Sequence, residues 1–167
     1  MKELIIVDGY NVINHESKYW QYKEDLETAR VKLIEDLVDY KAVEDCNVAV
    51  VFDGSGGRGN LEKKKNILGV DVYFTKGSQT ADSLIERLAY EAKENRNVIV
   101  VTADYDQQKA VFSKGVFRKT PKEMVKNIVE AKTNSTELIK TGPKRIFLED
   151  CLSNKVKESL KHLTCDS

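Results

Sequence analysis

Cysteine is scarce in this 167-residue chain, with three residues at Cys46, Cys151 and Cys165 and no Cys-x-x-Cys spacing. An odd, scattered set favours reduced thiols in the cytoplasm over a disulfide framework or a zinc site. Histidine is scarcer still. His15 and His162 are the full complement, so two-histidine nuclease chemistry would need both ends of the chain to meet. No apolar run approaches the length of a membrane span. The N-terminal run stops at Asp8 after four residues, too short for the core of a signal peptide. There is no Gly-x-Ser-x-Gly elbow and no cysteine–histidine pairing, which leaves nucleophilic hydrolase chemistry without its usual residues. Net charge is zero from 27 basic and 27 acidic residues, but the balance is uneven: −6 over Met1 to Gly57 and +7 over Lys109 to Arg145. Such asymmetry suits a polyanionic partner, although a solvated helical surface gives the same count.

What the chain does have is apolar runs that end in acids. Leu4-Ile5-Ile6-Val7 runs into Asp8-Gly9-Tyr10-Asn11, and Val48 to Phe52 runs into Asp53-Gly54. Val98 to Val101 leads through Thr102-Ala103 to Asp104. Unbroken apolar runs predict strands buried on both faces, as in a parallel sheet. Asp-Gly between apolar runs is also a hairpin signal, but a hairpin at Asp8-Gly9 would explain none of the other acids.

Helical stretches fall between the strands. The first is expected from about Leu26 to Tyr40, with Leu26, Ala29, Leu33, Leu37 and Tyr40 on its buried stripe. Val70 to Thr75 is a third strand, and Thr80 caps a helix burying Ala81, Leu84, Ile85, Leu88 and Ala92. A short helix over Tyr105 to Ser113 leads to a fifth strand at Val116-Phe117. Pro121 then opens a helix with Met124, Val125, Ile128 and Val129. A last helix beyond Gly142-Pro143 carries Leu148, Leu152, Val156, Leu160 and Leu163 on one face.

Alternating strands and helices imply an α/β fold with a mostly parallel sheet, in a single domain spanning 1–167 with a helical extension from about 143. Right-handed crossovers place every strand's carboxyl end on one edge, where Asp8, Asp53 and Asp104 should converge. Asp82 joins them from the first turn of its helix. Carboxylates gathered in a cleft repel one another and need a cation, and their hard oxygens suit Mg2+ or Mn2+. Such ions serve phosphoryl chemistry.

Gly54-Ser55-Gly56-Gly57-Arg58-Gly59 matches a dinucleotide-binding fingerprint, but the position of the ribose-binding acid holds Phe74, Thr75 and Lys76. The stretch is better read as a glycine-rich loop over the acidic edge, with Arg58, Lys63, Lys64 and Lys65 available for RNA phosphates. The alternative for the lysine run is a solvated helix start. His15 reads as a loop residue close enough to Asn11 for a minor role at the site.

Four ordered motifs carry a resemblance: Asp8 to Ile13, Val51 to Gly54, Phe74-Thr75 with Thr80 to Ser83, and Val101 to Asp104. Together they resemble the YacP-type NYN-domain proteins, a bacterial branch of the PIN-like nucleases, over nearly the whole chain. The resemblance implies a three-layer fold with strand order 3-2-1-4-5 and helices on both faces. It implies metal-dependent RNA cleavage leaving a 5′-phosphate. Asp8, Asp82 and Asp104 would be core metal ligands, and Asn11 would orient one of them or the substrate. Asp53 and Asp106 would be supporting acids, Asp106 also a metal ligand. The usual Thr-Ser-Asp triplet reads Thr102-Ala103-Asp104, so one serine contact is missing. Some relatives are ribosome-associated endoribonucleases, which makes mRNA the expected substrate and the ribosome a candidate partner. Two other readings stay open: a non-catalytic RNA- or ribosome-binding module of the same fold, and a phosphohydrolase using Asp8 as nucleophile.

Overall fold

The computed structural model describes residues 1–54, 63–104, 115–139 and 154–160. Its elements are β1 (Leu4–Asp8), α1 (Gly9–His15), a 3-10 turn (Ser17–Tyr22), α2 (Leu26–Val43), β2 (Asn47–Phe52) and β3 (Lys63–Ile67). They continue with β4 (Val70–Phe74), α3 (Ala81–Ala92), β5 (Val98–Val101), β6 (Val116–Lys119), α4 (Pro121–Ile139) and α5 (154–160).

β1 is apolar on both faces because both faces are covered. Ile5, Ile6 and Val7 are all buried, Ile6 on one side and its neighbours on the other. One core lies between the sheet and α1, α2, α4 and α5, and includes Val7, Val50, Phe52, Leu33, Leu37, Met124, Ile128, Val156 and Leu160. The other lies under α3 and includes Ile6, Val51, Val100, Leu84 and Ile85. Helices therefore flank the sheet on both faces, which makes the expected three layers. Each fully buried aliphatic side chain contributes roughly 1.5–3 kcal/mol, so the two cores dominate the stability of the domain.

The sheet runs β3-β4-β2-β1-β5-β6, parallel throughout except for β3 against β4. The expected order of third, second, first, fourth and fifth strand is β4-β2-β1-β5-β6, and β3 extends it at one edge. Lys63-Lys64-Lys65 is thus neither a loop nor a helix start: it opens a strand. Ile67 pairs with Val70 across the two-residue turn Leu68-Gly69, where both residues have positive φ (49° and 90°). That is the geometry whose twist matches an antiparallel hairpin, and glycine adopts it without a Cβ penalty. Lysines on an edge strand also discourage pairing with another chain.

Two expected core positions lie outside. Leu26 is 47% exposed and Val129 is 48% exposed. α2 instead buries Ile34 and Asp36 besides Ala29, Leu33, Leu37 and Tyr40, because α4 and the 3-10 turn pack around it. Asp36 accepts hydrogen bonds from Tyr19 Oη (2.8 Å) and Lys132 Nζ (2.6 Å) and pairs with Lys18 Nζ (2.5 Å). Burial alone would raise its carboxyl, but the hydrogen bonds and charges of Lys132 and Lys18 outweigh it and hold the group below the usual range. The predicted helix over Tyr105 to Ser113 and the positions Leu148, Leu152 and Leu163 lie outside the described residues.

Candidate active site

The strands that neighbour each other at the sheet's switch point, β1 and β5, end in Asp8 and, three residues on, Asp104. Asp53 follows β2 directly, and Asp82 stands in the first turn of α3, whose cap Thr80 accepts the Ser83 N–H at 3.2 Å. Asp8 forms the floor at 9% exposure, while Asp53, Asp82 and Asp104 are exposed around it.

The carboxylates feel one another. Burial, together with the charges of Asp82, Asp104 and Asp53, pushes Asp8 up to about 6 against an opposing hydrogen bond from the Asn11 N–H. Asp82 is raised as well, by burial and by Asp104, Glu86 and Asp53. Glu86 was not singled out from the sequence, although it sits four residues after Asp82 and therefore one helical turn along the same face. No described lysine or arginine forms an ion pair with Asp8, Asp53 or Asp82.

A backbone frame holds the acids in place. Asp8 caps α1, its Oδ1 accepting the Asn11 N–H at 3.3 Å. Asn11 Oδ1 in turn accepts the Ala103 N–H at 2.7 Å, and Thr102 Oγ1 accepts the Asp104 N–H at 3.0 Å. The backbone at Ala103 is therefore anchored by Asn11 although its side chain has no hydroxyl. Across the cleft, Thr75 Oγ1 donates to Asp53 Oδ1 at 2.9 Å and accepts the Gly54 N–H at 3.1 Å. A Cβ on Gly54 would lie 2.0 Å from the Thr75 carbonyl oxygen, so the closeness of these strand ends requires glycine there. Thr75 is fully buried, and its supporting role was not evident from the sequence.

The remaining candidates divide. His15 lies at the far end of α1, with Nδ1 2.8 Å from the Asn11 carbonyl oxygen, and takes no part in the acid group. Lys63 opens β3 opposite Phe74 and so stands at the acidic edge. Lys64 pairs with Asp71 at 3.1 Å and lies over the Tyr73 ring, while Lys65 Nζ donates to the Ser159 carbonyl at 2.5 Å. Those two lysines have structural partners that the sequence did not reveal. Arg58, Asp106 and His162 lie outside the described residues.

The donors suited to a cation are Asp8, Asp82 and Asp104, all hard oxygen ligands. Among the described residues no three acidic, histidine or cysteine side chains stand close enough together to hold an ion as placed. Their chemistry fits a hard divalent ion better than any softer metal.

A family model described as the YacP-like NYN domain matches residues 5–164. The chain belongs to that family. YacP of Bacillus subtilis (strain 168) is 38% identical over 133 residues, covering 75% of each chain. The crystal structure of Rae1 (YacP) from Bacillus subtilis superposes with a TM-score of 0.70 at 29% identity, over 96% of this chain and 90% of that one. A single-substitution variant of the same protein gives 0.71 at 30% identity, over 95% and 92%. Membership of this PIN-like nuclease family supports a nuclease-type function. No helix among the described residues is long and apolar enough to cross a membrane.

Proposed function

We propose that this chain is a metal-dependent endoribonuclease that hydrolyses phosphodiester bonds of RNA, with mRNA as substrate and 5′-phosphate ends as products. The observation that carries the reading is the convergence of Asp8, Asp53, Asp82 and Asp104 on one sheet edge, with Asp8 pushed up to about 6 by burial and by the other three. Crowding like charges destabilises a protein, so strongly shifted acids retained in a cleft favour a catalytic reading.

Asp8, Asp82 and Asp104, with Asp106, would hold Mg2+ or Mn2+. When bound, such an ion stabilises charge on a phosphoryl group and makes a water more acidic. The chain's own contribution is placement. Asp8 fixes the floor from a rigid strand, and Asn11 holds the backbone that presents Asp104. Asp53, held by Thr75, adds a fixed negative charge opposite. Lys63 at the same edge and Arg58 are proposed to meet RNA phosphates. The cytoplasm as location follows from the scattered cysteines, and the ribosome as second partner is carried over from the family resemblance.

End-labelled RNA incubated with the protein in Mg2+, Mn2+ or EDTA tests the reading. Cleavage is expected with an ion and absent in EDTA or in Asp104→Asn, with phosphate at the new 5′ ends. Binding without cleavage in any ion would leave a non-catalytic RNA-binding module. Labelling of Asp8 as an aspartyl-phosphate would make the protein a phosphohydrolase instead.

A further inference from the structure

Arg30 projects from the second turn of α2 onto the aromatic end of the sheet. Its Nη1 donates to Tyr10 Oη at 2.7 Å, and its guanidinium carbon lies 5.8 Å from the centroid of the Phe74 ring. Tyr10 meets Phe52 edge-on, and Phe52 stacks on Phe74, each pair at 5.3 Å between centroids. Four side chains thus close a ring in which each fixes the next. Tyr10 stands two residues after Asp8, and Phe52 and Phe74 immediately precede Asp53 and Thr75. The guanidinium is therefore held toward the carboxyl end of the sheet, on its α2 side.

What the fold does not supply, among the described residues, is a close ion pair for it. Arginine keeps its charge at any ordinary pH, and a partly buried one is normally paired with a carboxylate. Among the described residues no carboxylate lies within ion-pair distance of Arg30, and the charge of exposed Asp25 at the cap of α2 is felt from beyond that range. Nε is buried without a hydrogen bond, and Nη1 is taken by Tyr10. Packing alone does not require this. A methionine or leucine would cover Phe74 without the cost of desolvating an unmatched charge.

An RNA strand over this edge faces a matching difficulty. Its phosphates must approach four carboxylates that repel them. A cation fixed toward the same end of the sheet, and not paired with the acids, offsets that repulsion at one phosphate. Because Tyr10 and Phe74 already hold the side chain, little rotamer freedom is lost when the contact forms.

We propose that Arg30 is a phosphate-binding residue, whose guanidinium takes a backbone phosphate of single-stranded RNA flanking the bond to be cut, with Tyr10 as its positioning residue. The inference rests on the nuclease reading of the acids for which phosphate it holds. Being a backbone contact, it favours no base.

Two assays on a short single-stranded RNA test it. Affinity is measured in EDTA over a range of salt, and kcat and KM are measured in Mn2+. Arg30→Gln, which keeps the stem and loses the charge, is expected to weaken binding about tenfold and to reduce the salt slope by about 0.7, the amount for one single-strand phosphate contact. KM should rise by a similar factor while kcat stays within about threefold, in the manner of a lost uniform-binding contact. Arg30→Lys should restore the salt slope, and Tyr10→Phe should raise KM less than Arg30→Gln while leaving the slope intact.

Should Arg30→Gln fail to fold, Arg30→Met keeps the cover over Phe74 and gives the same readings. A folded charge-removing variant with wild-type affinity and slope overturns the proposal, even if the wild type cleaves RNA. A wild type that binds without cleaving sinks the nuclease reading, and the EDTA measurements still decide Arg30. A wild type that neither binds nor cleaves overturns both.

Discussion

Asn11 reaches across the switch point to Ala103, its Oδ1 accepting the Ala103 N–H at 2.7 Å, so the helix that begins at Asp8 is latched to the segment that presents Asp104. The acids that end β1 and follow β5 are thereby tied to one frame. Asn11→Ala removes the latch and leaves a partly buried N–H without its partner, at a cost of about 1–3 kcal/mol. Cleavage is expected to fall by about 10- to 100-fold, since small displacements of reacting groups are costly. RNA affinity in EDTA should be unchanged. Urea melts beside a cleavage assay check this, and full activity in a destabilised Asn11→Ala protein would make Asn11 purely structural.

Asp8 gives a prediction with a definite sign. Its carboxyl is raised from 3.8 to about 6 in the fold, mainly by burial and then by Asp82, Asp104 and Asp53. A raised acid binds its proton more tightly folded than unfolded, so the metal-free protein loses stability as pH rises from about 4 to about 6. The full shift corresponds to at most about 3 kcal/mol. Asp8→Asn removes the charge that crowds the site, so in EDTA above pH 6 it should melt at or above the wild type. The wild-type decline between pH 4 and 6 should flatten in the variant. RNA cleavage in Mg2+ or Mn2+ should nonetheless collapse. An Asp8→Asn protein that melts markedly earlier and still cuts RNA would leave Asp8 as no more than the cap of α1.

The lysine run separates into three outcomes. Lys65→Ala loses the tie to the Ser159 carbonyl and should destabilise the packing of α5 without changing the salt dependence of RNA binding. Lys64→Ala loses an exposed pair with Asp71, worth less than about 1 kcal/mol. Lys63→Ala, at the acidic edge, should weaken RNA binding across sequences and lower the salt slope. Equal salt slopes in all three variants and the wild type would move the phosphate contacts away from β3.

The acids were legible because each follows an apolar run whose burial on both faces is written into its composition. Chain order and the handedness of crossovers then suffice to bring Asp8, Asp53 and Asp104 to one edge. β3 was not legible, since Lys63-Lys64-Lys65-Asn66-Ile67 has no apolar alternation and becomes a strand through pairing with β4 across Leu68-Gly69. Leu26 fits the helical period of α2, but α2 is packed on more than one side and its first residue extends past the neighbours that would cover it. Thr75 and Arg30 act through partners 22 and 20 residues away in sequence. Nothing in the local spacing of either residue announces such a contact.

Asp36 supplies the opposite pH signature, away from the site. Tyr19, Lys18 and Lys132 converge on its carboxylate and join the 3-10 turn, α2 and α4 through one group. The partners hold its pKa below the usual range despite burial, so its contribution to stability is fully present above the unfolded value near 3.8. That contribution is lost as pH falls below this value and through the lower folded one. The window lies beneath that of Asp8, so the two are separable in a single series of melts in EDTA. Asp36→Asn leaves Lys18 and Lys132 partly exposed and able to turn to solvent, which limits the expected loss to about 3 kcal/mol or less, below the full cost of an orphaned buried charge. The variant should show a shallower fall in stability below pH 4, while the change between pH 4 and 6 due to Asp8 persists. Its cleavage of RNA at pH 7 and 25 °C, where the fold survives, should match the wild type. A variant as stable as the wild type at pH 7 would mean that Tyr19, Lys18 and Lys132 gain nothing from the charge they surround.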